Sequence, residues 1–334
     1  MKKVLHESYI SVRKMPKNLS SKDLPLFEHE ENRSIKSSYF FDRKSIFIFN
    51  SIVISFRGLT YFKNYTFFGD KTLIERIKRV VKAYSDTNKK NTVLLEKGIW
   101  FTDHKSHVYF HWLFDSLQRA MLVVDKNKNL PLLVPEELFK KDYISQSLEF
   151  LNLNYIVLKS NHIYKVKRLT VTSKTALSGN YNEKILASLV QLFKKNSETT
   201  HSNSIIKNTE NLFIYRNRSV GRDIYNFDEL QKTLFKYDYS LIKFEDYSYS
   251  EKIQILGQCK NLMGMFGSGL SNMIFLNKGS NLIEIRHKND SKNNAFFSLA
   301  SALNLNYYYE SFSLTDKGCI VDIKNIDNLL KKLQ

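Results

Sequence analysis

Cysteine is nearly missing from this chain: Cys259 and Cys319 are the two thiols in 334 residues. Two thiols make no disulfide framework of the kind that staples small secreted domains, and a reducing cytoplasm fits. Long apolar runs are missing too. The longest, residues 45–56, is broken by Asn50 and Ser51 and falls short of the roughly 20 residues that a bilayer-spanning helix needs. The opening MKKVLHESYI has no apolar signal core, so nothing in it argues for secretion. Internal repeats and low-complexity tracts are absent. Acidic side chains are outnumbered by basic ones, 33 against 51, for a net charge of +18. That balance implies an anionic partner: nucleic acid, a phosphorylated small molecule or an anionic membrane surface. The lysines are scattered rather than gathered into one arm, and a lysine-rich source proteome would give the same total, so charge alone selects no function. Basic and aromatic residues are not interleaved in a nucleic-acid-binding signature, and nucleic acid is not the expected partner.

What is present is an ordinary apolar fraction with many aromatics, in a chain long enough for two domains with proper cores. Residues 1–40 carry little pattern and read as a loosely structured lead-in. Apolar runs in 39–66 suggest short strands joined at Gly58, and 71–84 has helical spacing. Residues 91–101 read as a buried strand, and VYFHWLFDSLQRAMLVV as an amphipathic helix. Short strands near 132–134, 155–158 and 169–172, with a helix at 143–151, suggest a parallel sheet covered by helices. A helix at 181–195 precedes the polar 196–211, the best linker candidate. The remainder alternates strand and helix: strands at 212–215, 239–244, 262–266, 281–286 and 306–310, and helices from 227, 251–258, 270–276, 294–303 and 326–333. Asn226 with Glu229, and Ser248 with Glu251, have cap spacing. The second half therefore reads as a Rossmann-like doubly wound domain.

Three constellations carry chemistry. His111 and Asp115 are four apart on the helix, beside its apolar stripe, where a cleft wall or a plain surface pair are both consistent. His104, His107 and His111 with Asp103 have an approximate metal-ligand spacing, but no cysteine or second acid completes a set. Gly267, Ser268 and Gly269 sit between a strand and a helix, where free amides seat a phosphate or a glycine simply makes the turn. An exposed helix N-terminus favours an anion by only about 0.3–1 kcal/mol, whereas millimolar binding needs about 4 kcal/mol. Arg216, Arg218 and Arg222, at the end of the first strand of the second domain, would supply the rest at about 1.5–3 kcal/mol for each charge-assisted bond.

VYFHWLFDSLQR, LFIYRNRSVGRDIYN and the run from YSYSEKIQILGQCKNLMGMFGSGLSNMIFLNKGSNLIEI follow one another in an order that resembles glycosyltransferase family 61, the capsular-polysaccharide type. The likeness covers roughly residues 91–315 and extends to FFSLASALNLNYYYE. It implies an α/β protein of two Rossmann-like domains in a GT-B-type arrangement. The domains expected are 1–180, on the acceptor side, and 181–334, holding the nucleotide sugar. It implies inverting hexosyl or N-acetylhexosaminyl transfer without an obligatory metal or other cofactor, onto a glycan or lipid-linked glycan, in bacterial surface polysaccharide synthesis. The expected location is cytoplasmic, or peripheral on the inner face of the plasma membrane.

Carried over position by position, Arg216 and Arg218, with Arg222 beside them, meet the donor diphosphate. Gly267, Ser268 and Gly269 offer it amides, Ser271 and Asn272 stand at the helix start, and Glu284 completes the donor set. His111 and Asp115 face the acceptor. Asp115 is preferred as base because a carboxylate is unprotonated at neutral pH. No Asp-x-Asp is present to hold a cation. Phe266 occupies the position of a histidine usual in the family, and Gln118 that of a proline. The first departure leaves a catalytically weak or inactive homologue, acting as a scaffold of a polysaccharide assembly complex, as the alternative.

Overall fold

The computed structural model of the chain describes residues 2–49, 52–55, 60, 61, 78, 81, 85, 91–124, 129–197, 208–215, 224–316 and 318–334. The chain is α/β in two units, Met1–Tyr9 with Ile35–Ser178, and Ile10–Ser34 with Gly179–Gln334. Gly58, most of the helix expected at 71–84, and Arg216, Arg218 and Arg222 lie outside the described residues.

The first unit is built on an eight-stranded mixed sheet. Its strands are β1 (Lys2–His6), β4 (Ser38–Phe49), β5 (Ile52–Ser55), β6 (Thr60–Tyr61), β7 (Thr92–Trp100), β8 (Leu132–Pro135), β9 (Tyr155–Leu158) and β10 (Ile163–Thr172). β1, β4, β5 and β6 run antiparallel to their neighbours. β10, β7, β8 and β9 are mutually parallel in that spatial order. β8 reads as a continuous apolar run because an interior parallel strand is covered on both faces, whereas β9 at the edge is largely half-buried. The chain steps outward from β7 through β8 to β9, then returns to place β10 on the other side of β7. That reversal leaves a crevice outside the carboxyl ends of β7 and β10, the place where open parallel sheets take ligands.

The second unit has the sheet order β12 (Ser240–Ile242), β11 (Asn211–Ile214), β13 (Asn261–Met265), β14 (Asn281–His287), β15 (Asn306–Thr315), β16 (Gly318–Val321). The first five are parallel and β16 is an antiparallel edge that the sequence pattern did not suggest. Here the reversal falls between β11 and β13. One face, with Phe213, Met263, Ile283 and Ile285, is covered by Leu230 and Leu234 of helix Phe227–Lys236 and by Ile326, Leu329 and Leu330 of helix Ile323–Lys332. On the other side Phe193, Tyr249 and Phe275 form an aromatic cluster with centroid spacings of 5.2–6.1 Å. Asn211, Asn261, Asn281 and Asn306 open four adjacent strands in one register. Asn261, Asn281 and Asn306 each donate a side-chain N–H to the side-chain oxygen of the asparagine before, at 2.7, 2.7 and 3.1 Å.

The lead-in is structured, contrary to the sequence reading. β2 (Tyr9–Val12) pairs with β3 (Asn32–Ile35), and the intervening chain joins the second unit. Asn18 bonds both backbone groups of Tyr309, and fully buried Phe27 packs on Phe297, Tyr307 and Tyr309. Such docking is made by single side chains far away in sequence and leaves no periodic signal. The polar 196–211 is not where the units part; the boundary is Ser178–Gly179.

Candidate active site

In the first unit β7 ends at Trp100, and Asp103 to His107 turn the chain into a helix over 109–124. The helix is α-helical at Tyr109–His111, π-helical at Trp112–Ser116 and α-helical again at Leu117–Val124. The π segment bonds i to i+5, as in Leu117 N–H to Trp112 C=O. Such wide turns are rare and recur at functional sites. It sets His111 above Asp115, with Nδ1 2.7 Å from Oδ2. A carboxylate only accepts, so Nδ1 carries the hydrogen and Nε2 is left with its lone pair. The two side chains are 19% and 13% exposed, shielded yet reachable.

The helix is held from below. Trp112 donates to Ser147 at 2.8 Å, and Ser116 Oγ lies 2.7 Å from Ser106 Oγ. Arg119, one turn past Asp115, donates to the Thr172 carbonyl at the end of β10 and faces Asp103. Burial works to raise the Asp103 carboxyl, but Arg119, the Lys105 amide, Lys174 and His104 outweigh it, and it titrates below the ordinary range. Gln118 is fully buried, its Oε1 3.5 Å from Thr175 Oγ1. Ser178 comes from beyond β10 and donates to Asp115 Oδ2 at 3.1 Å, with His111 Nδ1 3.2 Å away. A lone serine in a polar turn carries no sequence signal, and this residue was missed. Among the described residues no group of three or more His, Cys, Asp or Glu is placed to hold a metal ion. His107 instead bonds the His104 carbonyl, and burial is the first cause holding the His104 imidazole below its ordinary range.

In the second unit the glycine turn follows β13, beside the end of β11. Gly264 makes this possible: a Cβ there would lie 3.2 Å from Ile214 Cβ and 3.3 Å from Leu270 Cδ2, tighter than side chains normally tolerate. The segment Ser268–Phe275 is a 3₁₀ helix rather than the expected helix from Leu270, and Gly269 to Phe275 are all buried. Its narrow i-to-i+3 turns, such as Leu270 N–H to Gly267 C=O at 3.0 Å, pass between close-packed neighbours. Gly267 has φ +154°, a backbone that suits glycine. Ser271 and Asn272 are closed off from solvent, and Asn272 Nδ2 holds the Gly269 carbonyl at 2.8 Å. They shape the turn from behind. Phe266 packs edge-on against Phe296 at 5.5 Å.

Glu284, on β14, is fully buried and accepts from Tyr307 OH at 2.5 Å. Arg286 donates to the same hydroxyl at 3.3 Å and to Asn294 at 2.9 Å, with its guanidinium 4.8 Å from the Phe27 ring. Burial lifts the Glu284 carboxyl to about 7, against the pull of Arg286 and Tyr307. Tyr307 and Arg286, the partners that work against this burial, were not singled out in the sequence.

Residues 109–283, just over half of the chain, match the family model Glycosyltransferase 61. The chain belongs to glycosyltransferase family 61. The matched span opens on the helix of His111 and Asp115 and runs through the glycine turn. The protein is therefore a glycosyltransferase, with a sugar donor and an acceptor as substrates. Beyond this family 61 match, no curated protein matches the chain.

Proposed function

We propose that the protein is an inverting, metal-independent transferase that moves a hexosyl or N-acetylhexosaminyl group from a nucleotide-diphosphate donor to a glycan or lipid-linked glycan. The setting is bacterial surface polysaccharide assembly, with two Rossmann-like domains in a GT-B-type arrangement. The observation that carries this is the His111–Asp115 pair, 2.7 Å apart on a π-helical turn at the β7–β10 strand reversal. His111 Nε2 takes the proton of an acceptor hydroxyl while its oxygen attacks the anomeric carbon. The bond from that carbon to the diphosphate breaks on the opposite side, and the leaving oxygen keeps the electron pair. Asp115 accepts from Nδ1–H throughout, orienting the ring and stabilising the imidazolium, so a carboxylate and an imidazole share the base role that the sequence reading gave first to Asp115. General-base catalysis of this kind contributes typically ~10²–10⁴-fold.

The donor diphosphate is assigned to the β11–β13 reversal, with Gly267, Ser268 and Gly269 offering amides and Arg216, Arg218 and Arg222 offering charge. No bound metal or other cofactor enters this reading. No described helix is long and apolar enough to cross a membrane. Association with an anionic inner leaflet is supported by Lys2 and Lys3, which line a recess beside Phe40 where Arg168 is paired with Asp42. Vesicle flotation indifferent to anionic lipid and to salt would remove it.

The test of the catalytic reading is transfer by His111→Ala and Asp115→Asn. Both are expected to fall ~10²-fold or more with donor affinity nearly unchanged. Wild-type turnover by His111→Ala would remove the imidazole, and loss in Asp115→Asn alone would return the base role to the carboxylate. A scaffold role is the second reading, favoured by Phe266 packing on Phe296 where the family usually has a histidine. Wild-type protein that binds donor yet neither transfers nor hydrolyses it would support that alternative.

A further inference from the structure

Ser178 is the last residue of the first unit, in an exposed turn just before Gly179, whose φ of +85° suits glycine. No strand or helix needs a serine there, and an exposed hydroxyl is satisfied by water without cost. Its Oγ nevertheless forms a triangle with the reacting pair, 3.1 Å from Asp115 Oδ2 and 3.2 Å from His111 Nδ1, closed by the 2.7 Å His–Asp bond.

The supports beneath the helix locate its backbone, not the torsion of the Asp115 carboxyl. Ser116 is tied to Ser106 and Trp112 to Ser147, on the buried side. A carboxylate held by one histidine donor still swings about its terminal torsion, which is broad and soft. A second donor on the same Oδ2, arriving from a different direction, removes that freedom. The two donors also come from opposite lips of the crevice. His111 follows β7, whereas Ser178 follows β10, and the two strands are paired in parallel as far as Val171 and Trp100. Thr172 Oγ1 to the Trp100 carbonyl at 3.3 Å, and Arg119 to the Thr172 carbonyl at 3.1 Å, hold those lips together up to where the turn begins.

From this geometry we infer that Ser178 is a positioning residue for the transfer reaction. Its hydroxyl donates to Asp115 Oδ2 and fixes the carboxylate plane, which holds the His111 ring with Nε2 toward the acceptor. The inference rests on the reading of His111 and Asp115 as the base. Sharing Oδ2 between two donors weakens the carboxylate's pull on the imidazole slightly. Orientation outweighs that loss, because misplacing a base lowers the fraction of complexes able to react.

Steady-state transfer kinetics of Ser178→Ala and Ser178→Thr, measured beside Asp115→Asn and His111→Ala, test it. Ser178→Ala is expected to lose about tenfold in kcat, as for one charge-assisted hydrogen bond, with donor KM and thermal midpoint unchanged. Ser178→Thr restores the hydroxyl and is expected to restore kcat to within about twofold. A role in the turn alone would leave kcat intact, or would move the midpoint and KM with it. Wild-type kcat in Ser178→Ala, with His111→Ala and Asp115→Asn inactive, overturns the inference and spares the dyad. Equal loss in the Ala and Thr variants also overturns it, because the hydroxyl is then not what matters. Full activity in all four variants removes the dyad itself.

Discussion

Asp103 and Arg119 face each other at 3.7 Å, Oδ2 to Nη1, with side chains only 6% and 1% exposed. The aspartate belongs to the turn leaving β7 and the arginine to the helix that begins there, one turn past Asp115. The pair therefore closes the loop that presents His111 and Asp115.

Asp103→Asn leaves the guanidinium without its counter-charge and is expected to destabilise the protein by about 3–5 kcal/mol. The sign with pH is fixed. Because the folded carboxyl titrates below the ordinary 3.8, its contribution is present above that value and is lost as pH falls toward the folded value. Urea midpoints of wild type and variant should differ widely at neutral pH and converge in acid. Equal midpoints at pH 7 would mean that the pair holds nothing.

Glu284 carries the opposite sign. Its carboxyl rises from the ordinary 4.5 to about 7, so across that interval the folded chain holds a proton that the unfolded chain has released. Its contribution to stability is full below the lower value and is lost as pH rises through the upper one, on the order of 3 kcal/mol in all. Glu284→Gln is expected to flatten the stability profile between those limits. A profile as steep in the variant as in wild type would place the titration elsewhere.

Donor affinity is the third measurement. Arg218→Ala is expected to weaken binding of a nucleoside diphosphate by about 1.5–3 kcal/mol, with less effect on the nucleoside alone. Calorimetry giving the same diphosphate affinity for both proteins would take Arg218 out of the site.

Local chemistry was legible in the sequence, and chemistry between distant segments was not. Ser248 and Glu251 are three apart, and they form the expected capping box, with Ser248 N–H donating to Glu251 at 2.8 Å. Asn226 and Glu229 have the same spacing, but Asn226 exchanges both its amide groups with the backbone of Val321 and caps nothing. A partner 95 residues away outbid the local one. The helix of His111 and Asp115 was legible from its apolar stripe, but not its π turn, in which Trp112, Leu113 and Phe114 are buried. Glu284 was named from the sequence as a donor residue, but its isolation from water was not legible, because its partner Tyr307 and the Phe27 and Phe297 rings around Tyr307 come from other segments.

The row of asparagines also acts as a levelling line. β11, β13, β14 and β15 start flush at Asn211, Asn261, Asn281 and Asn306 and then run for 4, 5, 7 and 10 residues. At roughly 3.3 Å per residue the far ends climb like a ramp, about 20 Å from β11 to β15. The glycine turn departs from the low end, directly after β13. A residue inserted into β11 or β13 would carry that end outward by one step of roughly 3.3 Å.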